Sequence, residues 1–404
     1  MRPQIVFFNK YKPIKKLGEG SFGKIYLANN INTNDKYAIK LENRNSPKLL
    51  LEQEAYMLYY LKGKGIPYIK SYGYSGEYNI LIMELLGKSL EKLFEENHYK
   101  FSIKTVCMLG EQMITRLQYI HNKHILHRDI KPDNFIMGID NNKDIVYIID
   151  FGLSKKYRSS RTLQHIKYSE NKKLIGTARY ASIHALAGCE QGRRDDMEAL
   201  SYVLLYFLRG YLPWQGLKVN KKEDRYKKIL EKKKIVSSKE LCNGFPYEFY
   251  EFVHYCKCLK FEEEPNYDYL RGLLKKVMKD NLLDYDYMFD WSENNHKDLS
   301  KSDSKENSNL VMRIQKNKEI AEKENNLINF NNYTIDRLKT IQEDYNNIDD
   351  NNKIGMINCN QYKFISTLNS INFNNEKPKI INETKEDDNI ININENKENG
   401  CRIF

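Results

Sequence analysis

The chain has 404 residues, 41% of them hydrophobic and 29% charged, with 65 Lys and Arg against 54 Asp and Glu. That length exceeds what one compact core usually holds, so a large two-lobed unit with an appendage is expected. No run of about 18 apolar residues occurs, which excludes a membrane-spanning helix, and Met1 to Lys16 lack the apolar block of a signal peptide.

The seven cysteines are scattered and odd in number, and Cys256 and Cys258 are spaced wrongly for a zinc pair. They read as reduced thiols of an intracellular protein. The net charge of +11 is unevenly placed. Residues 1–291 carry 49 basic and 35 acidic side chains, a balance of +14, whereas residues 292–404 carry 16 and 19, a balance of −3. Within the first part, residues 151–234 carry 20 and 8, a balance of +12.

In chain order, the first motif is Gly18-Glu19-Gly20-Ser21-Phe22-Gly23, flanked by Leu17 and by Ile25-Tyr26-Leu27. Glycines allow positive φ and let a backbone approach phosphates. Here β-prone residues follow the glycines instead of a helix, which predicts a hairpin lid over phosphates. Ala38-Ile39-Lys40 then predicts a strand that ends on a lysine, 17 residues after Gly23. Ser46-Pro47 reads as a helix start, with Ser as N-cap and Pro at the first helical position. Leu51, Ala55 and Leu58 recur at helical spacing behind it. This helix is expected to aim a glutamate at Lys40. Glu52 and Glu54 point to different faces; Glu52 is the expected partner and Glu54 the alternative. Ile80 to Met83 form an apolar strand, and Glu84-Leu85-Leu86 would follow it as a hinge, with Met83 flanking an adenine pocket.

Val106, Gly110, Met113, Leu117 and Ile120 mark one face of an amphipathic helix from Ile103 to Asn122. It delivers the chain into His127-Arg128-Asp129-Ile130-Lys131-Pro132-Asp133-Asn134, and Asp150-Phe151-Gly152 follows 16 residues after Asn134. Asp129 is placed to accept a proton from an attacking hydroxyl, and Lys131 to neutralise a transferring phosphoryl group. Asn134 and Asp150 offer the hard oxygens that Mg²⁺ prefers. The combined string is the protein-kinase signature of catalytic loop and metal-binding loop. Further on, Arg193-Arg194-Asp195-Asp196 opens a very apolar helix to Leu208, closed by Gly210. An almost all-round apolar helix is buried, and Asp196 at its start is expected to brace the catalytic-loop backbone.

At these residues the chain resembles a casein kinase 1. The strings that carry the resemblance include Leu17 to Tyr26, Met83 to Leu90, His127 to Phe135, Tyr147 to Leu153, Gly176 to Ile183, Glu190 to Glu198 and Leu212 to Lys218, within about residues 9–291. Where most protein kinases have Ala-Pro-Glu, this chain has Ala181-Ser182-Ile183. The resemblance implies an α+β bilobal kinase fold: an N-terminal extension over 1–10, and a catalytic domain over 11–291. Its small β-rich lobe would cover about 11–84 and its larger helical lobe about 88–291. It further implies a monomeric Ser/Thr kinase that uses ATP and Mg²⁺, or Mn²⁺ in its place, on acidic or phosphorylated protein substrates. Nucleotide contacts would come from Leu17 to Gly23, Ile25, Ala38, Lys40, Met83, Glu84 and Leu86. The family's anion site falls on Arg179, Arg225 and Lys172. The basic segment beside the catalytic motifs favours an acidic peptide, and no nucleic acid is expected because neither interleaved aromatics nor a known module accompanies it. Two departures stand out: Ser201 replaces a glycine in the buried helix, and His184-Ala185-Leu186-Ala187 differs from the family's loop.

The tail over 292–404 has no family match and is about a quarter Asn, mixed with Lys, Glu and Ser, a composition expected to stay mostly disordered. The chain ends Cys401-Arg402-Ile403-Phe404, a candidate prenylation signal with Cys401 as acceptor. One lipid without a polybasic neighbour anchors weakly, so a cytoplasmic protein with weak membrane association, or a nuclear fraction, is the expectation.

Overall fold

The computed structural model describes residues 5–20, 23–46, 49–217 and 222–292, together with the backbone of Cys401–Arg402. Ser21, Phe22 and Pro47, and the tail from 293 to 400, lie outside the described residues. The described residues divide into two compact units: those up to Lys62 with Pro67–Leu85 and Cys401–Arg402 form the smaller, and Gly63–Ile66 with those over 86–292 form the larger.

The small unit is an antiparallel sheet with one helix. Strands β1 (Tyr11–Gly20), β2 (Gly23–Asn30), β3 (Lys36–Asn43), β4 (Ile69–Ser75) and β5 (Tyr78–Glu84) are ordered β1-β2-β3-β5-β4, and the short β10 (Cys401–Arg402) pairs with the outer edge of β4. Alternation along the strands sorts side chains between two faces. One face carries Tyr26, Ala28, Ile39, Leu41, Ile80 and Ile82, which pack with Phe7 and Tyr11 into a core. Phe7, placed by the sequence in a separate extension, is therefore part of this core, and its backbone pairs with Tyr11. The other face carries Ile25, Lys40 and Leu81 opposite one another, with Leu27, Ala38 and Met83 one pleat further on.

Helix α1 (Leu51–Leu61) packs beside β3, β4 and β5. It starts later than the Ser46-Pro47 signal suggests, and its first residues carry no side-chain N-cap of their own. The carboxylate of buried Glu42 on β3 does that work, accepting from the N–H groups of Leu50 at 2.7 Å and Leu51 at 3.0 Å. An anion against a helix N-terminus satisfies orphan donors and complements the dipole. The start is thus set by a tertiary contact that a local motif cannot encode.

The large unit is helical: α2 (Leu90–Glu96), α3 (Ile103–Asn122), α4 (Ile183–Leu186), α5 (Arg193–Arg209), α6 (Lys222–Ile235), α7 (Ser238–Leu241), α8 (Tyr247–Cys258) and α9 (Tyr267–Asp280), with short pairings β6 (Ile125–Leu126) to β9 (Lys155–Lys156) and β7 (Phe135–Met137) to β8 (Val146–Ile148). The expected face of α3 is buried throughout, and a Cβ at Gly110 would come within 2.8 Å of Leu274 and 3.2 Å of Leu204, so glycine lets α9 and α5 approach α3 closely. Every residue of α5 from Arg193 to Leu208 is buried, and Gly210 ends it with φ 80°. Ser201 fits there because its hydroxyl donates to the Glu198 carbonyl at 2.7 Å. Asp290 ties the end of this unit to the start of α3, accepting from Ser102 N–H at 2.7 Å and from its hydroxyl at 2.6 Å.

Candidate active site

In the small unit, the glycine motif is a hairpin, with Gly18 opposite Ile25 and Gly20 opposite Gly23. Gly23 has φ 128°, and a Cβ there would meet the Leu41 carbonyl at 1.9 Å, so no other residue fits. A Cβ at Gly18 would meet no atom within 4 Å, so the protein's own packing makes no demand for glycine there. Glu19 is exposed and pairs with Lys16 at 2.5 Å. Leu17 is half exposed, whereas Ala38 and Met83 are buried and directly opposed on neighbouring strands. The side chain of Glu84 turns back to accept from Tyr68 N–H at 3.0 Å, so it holds the strand end. Leu86, in the large unit, is half-buried.

The buried ammonium of Lys40 lies 2.5 Å from Glu54, which is itself buried. The expected partner, Glu52, is exposed on α1. The correction follows from helix geometry. The buried residues of α1 are Leu51, Glu54, Ala55, Met57, Leu58 and Leu61, which share one broad helical face. Glu54 interrupts that face with a charge, which was the signal for it; Glu52 lies about 100° round from Leu51.

In the large unit, the catalytic loop is held from below by the start of α5. Asp196 accepts from His127 N–H at 2.8 Å, from Arg128 N–H at 2.9 Å and from the His121 ring at 2.9 Å. The bracing role expected from sequence is present. His127 donates from Nε2 to the Ile149 carbonyl at 2.8 Å and accepts from Asp129 N–H at Nδ1, which ties the loop to the strand leading into Asp150. Arg128 and Asp150 both adopt positive φ, 67° and 65°. Such non-glycine conformations persist only where surroundings hold them, and Arg128 is also fixed through its Nε on the Leu153 carbonyl at 2.8 Å.

The Asp129 carboxylate is buried and shared. One oxygen accepts from the Thr177 hydroxyl at 2.8 Å; the other lies 3.0 Å from the Lys131 ammonium and 3.3 Å from the Asn134 amide nitrogen. Burial works against the Lys131 ammonium, but the carboxylates of Asp129, Asp133 and Asp150 outweigh it and raise its pKa, so the group stays charged. Thr177 lies in the string Gly176 to Ile183, where the sequence suggests no role for it; the fold brings it here because Gly176, at φ 92°, runs so close to Arg128 that a Cβ would lie 2.3 Å from its carbonyl.

The donor set for a hard cation is sparse. Among the described residues no group of three or more His, Cys, Asp or Glu side chains gathers. Asn134 spends its amide nitrogen on the Asp129 carbonyl, so the amide oxygen is the atom it would offer a metal ion. The Asn134 carbonyl accepts from Ile149 N–H at 3.0 Å, so the residue before Asp150 is fixed against Asn134. One amide oxygen and one carboxylate fit a small divalent ion that keeps waters and takes its other ligands from phosphates.

Of the three expected anion-site positions, Arg225 is near enough to Arg179 to feel its charge: burial chiefly, with the Arg179 charge adding, lowers the pKa of Arg225. The Arg179 guanidinium lies over the rings of Tyr180 at 5.7 Å and Tyr206 at 5.9 Å. The structure sets Lys172 beside Glu190 at 4.0 Å, which also takes Lys155 at 3.3 Å. Cys401 is described only in its backbone, paired with Gly73.

The brace yields a prediction. Burial favours protonation of Asp196, but the hydrogen bonds from the His121 ring and the His127 backbone N–H outweigh it, and the pKa falls below the usual carboxylate value. For a depressed carboxylate the contribution to stability is fully present above the unfolded pKa of about 3.9 and is lost as pH falls through the lower folded value. Asp196→Asn should therefore cost about 3–5 kcal/mol at neutral pH, because it removes one partner of a buried charged network. That is a drop of roughly 6–20 °C in melting temperature for a domain of this size. Denaturation followed by circular dichroism checks it; a loss under 1 kcal/mol would show that the brace is dispensable.

Residues 11–280 match the family model for the protein kinase domain. That span covers more than half of the 404 residues and contains the hairpin, the Lys40–Glu54 pair and the whole catalytic loop. With a β-sheet small lobe, a helical large lobe and this catalytic loop, the chain belongs to the protein kinase family, transferases that use ATP and a divalent metal ion.

Proposed function

We infer that the chain is an active Ser/Thr kinase of casein kinase 1 type that transfers the ATP γ-phosphoryl group to acidic or phosphorylated protein substrates. The observation that carries the reading is the Asp129 carboxylate, buried and held by Thr177, Lys131 and Asn134. A base held by three partners is fixed in position before substrate arrives, and phosphoryl transfer depends mainly on such positioning and on charge stabilisation. Asp129 orients the substrate hydroxyl and takes its proton. Lys131, kept charged by its neighbours, stabilises charge on the transferring group. Lys40, held by Glu54, addresses the nucleotide phosphates. Asn134 and Asp150 would hold Mg²⁺, which when bound neutralises charge on the phosphate oxygens. An inactive scaffold is the rival reading, and the complete set of Lys40, Asp129, Lys131, Asn134 and Asp150 speaks against it.

The substrate class rests on the +12 balance over residues 151–234 and on Arg179 with Arg225. Arginine holds phosphate through two parallel bonds, and charge-assisted bonds are about twice as strong as neutral ones. A peptide carrying a phosphoserine upstream of its target should show kcat/KM at least about tenfold above its unphosphorylated twin at low salt, since one such bond contributes about 1.5–3 kcal/mol. The preference should shrink as salt rises. Equal kcat/KM for the two peptides would overturn the assignment, as would an Arg179→Ala/Arg225→Ala double variant that keeps the difference.

A further inference from the structure

Lys233, on α6, lies outside the catalytic set, yet it is fully buried. Its ammonium donates to the Ala181 carbonyl at 2.5 Å and sits over the rings of Tyr202 at 4.3 Å and Trp214 at 4.7 Å. The two rings meet edge to face at 5.0 Å, so they form two walls around the cation. Burial lowers the Lys233 pKa well below the ordinary lysine value; the nearby Glu198 carboxylate opposes that shift and the Lys257 charge adds to it. Glu198 accepts from Tyr202 O–H at 2.8 Å and from Ile183 N–H at 2.8 Å.

A buried lysine is expensive unless it is paired. Here it does not close on one carboxylate; its hydrogen bond goes to a main-chain carbonyl of the segment that leads from Thr177 to α4. The other groups around it hold the same segment. Trp214 donates from its indole nitrogen to the Arg179 carbonyl at 2.7 Å. Glu198 holds Ile183, and Ser182 donates its hydroxyl to Asp195. Further up, Thr177 reaches the Asp129 carboxylate. Residues 177–183 are therefore tethered at one end to the catalytic base and at the other to a box built around one ammonium. Helix α6 also carries Arg225, eight residues before Lys233, so seating Lys233 fixes the register of the helix that bears Arg225.

We propose that Lys233 is a positioning residue: by clamping the Ala181 carbonyl inside the Tyr202–Trp214 box it pre-forms segment 177–183, with Arg179, and sets the helix that carries Arg225 for the protein substrate. The proposal rests on the reading of the chain as an active kinase. It assigns Lys233 to the protein-substrate side of the reaction, because the box holds the main chain of the segment that carries Arg179.

The test separates peptide transfer from nucleotide chemistry. Full-length wild type, Lys233→Met and Lys233→Arg are assayed with ATP and Mg²⁺ for phosphorylation of an acidic peptide, for KM of ATP, and for slow ATP hydrolysis without peptide. Methionine keeps length and apolar contact but removes charge and donor; arginine restores both. Lys233→Met should lower peptide kcat/KM at least tenfold, mainly through a higher peptide KM, with KM of ATP and basal hydrolysis within twofold of wild type. Lys233→Arg should recover at least half of the loss on a logarithmic scale. Peptide kcat/KM within twofold of wild type in the methionine variant overturns the proposal. So does a loss that falls equally on peptide transfer and basal hydrolysis, which marks a general structural role. If Lys233→Met does not fold, Trp214→Phe carries the test, since it keeps a ring wall but removes the donor to Arg179. The same split supports the clamp, and its absence overturns it. A wild type that transfers to neither peptide nor water instead brings down the reading as an active kinase.

Discussion

Asp150→Asn should reduce phosphoryl transfer to peptide by at least about 10³-fold, since charge stabilisation by a bound metal contributes several kcal/mol at the transition state. The substitution keeps the shape of the side chain and removes one negative charge. Asp150 stands at φ 65°, directly after a residue whose N–H is bonded to the Asn134 carbonyl, so its position is set by backbone on both sides. Asparagine tolerates that conformation, and the fold should survive, with a melting temperature within a few degrees of wild type. What is lost is the only carboxylate among the two proposed metal donors. An amide oxygen binds a hard dication far more weakly than a carboxylate, and phosphates left without their counterion repel both an incoming hydroxyl and each other. Chelation of the metal in the wild-type assay should reproduce the loss. An Asp150→Asn protein that transfers at a tenth of the wild-type rate or better would remove Asp150 from the mechanism. A folded wild type without transfer to any acidic or phosphorylated peptide would favour the scaffold reading.

What the sequence revealed and what it concealed divide along a physical line. The catalytic loop was legible because its chemistry is contiguous: Asp129, Lys131 and Asn134 fall within six residues, and their side chains converge on one carboxylate through local backbone geometry. The hairpin was legible because glycines followed by β-prone residues have few other uses. The buried helix α5 and the brace of Asp196 followed from an apolar run with an acidic start. Features that depend on distant partners were not legible. The start of α1 is set by Glu42, eight residues away on a strand. The seat of Lys233 is made by Tyr202 and Trp214, contributed by other parts of the chain. A lysine within the run Lys232-Lys233-Lys234 reads as a solvated charge until the fold shows that one of the three points inward.

Glu54→Gln should lower kcat/KM roughly tenfold to a hundredfold, the scale on which misplacement of a positioning group by about 1 Å is felt, while Glu52→Gln should stay within twofold. The contrast follows from where the two carboxylates lie. Glu54 meets the Lys40 ammonium at 2.5 Å, and the two side chains are 5% and 8% exposed. Glu52 is exposed, where ion pairs contribute about 0–1 kcal/mol. A buried ammonium that loses its carboxylate is left uncompensated, which costs about 3–5 kcal/mol, so Lys40 must either move toward solvent or give up its charge. Either response removes it from the sheet face it shares with Ile25, Ala38 and Met83. The cost should therefore appear twice, as a lower melting temperature and as a weaker grip on ATP. KM for ATP and kcat measured on both variants decide between the two glutamates. Equal losses for Glu52→Gln and Glu54→Gln would mean that α1 acts through its packing and not through an aimed carboxylate. A Glu52→Gln loss alone would restore the assignment that helix periodicity argues against.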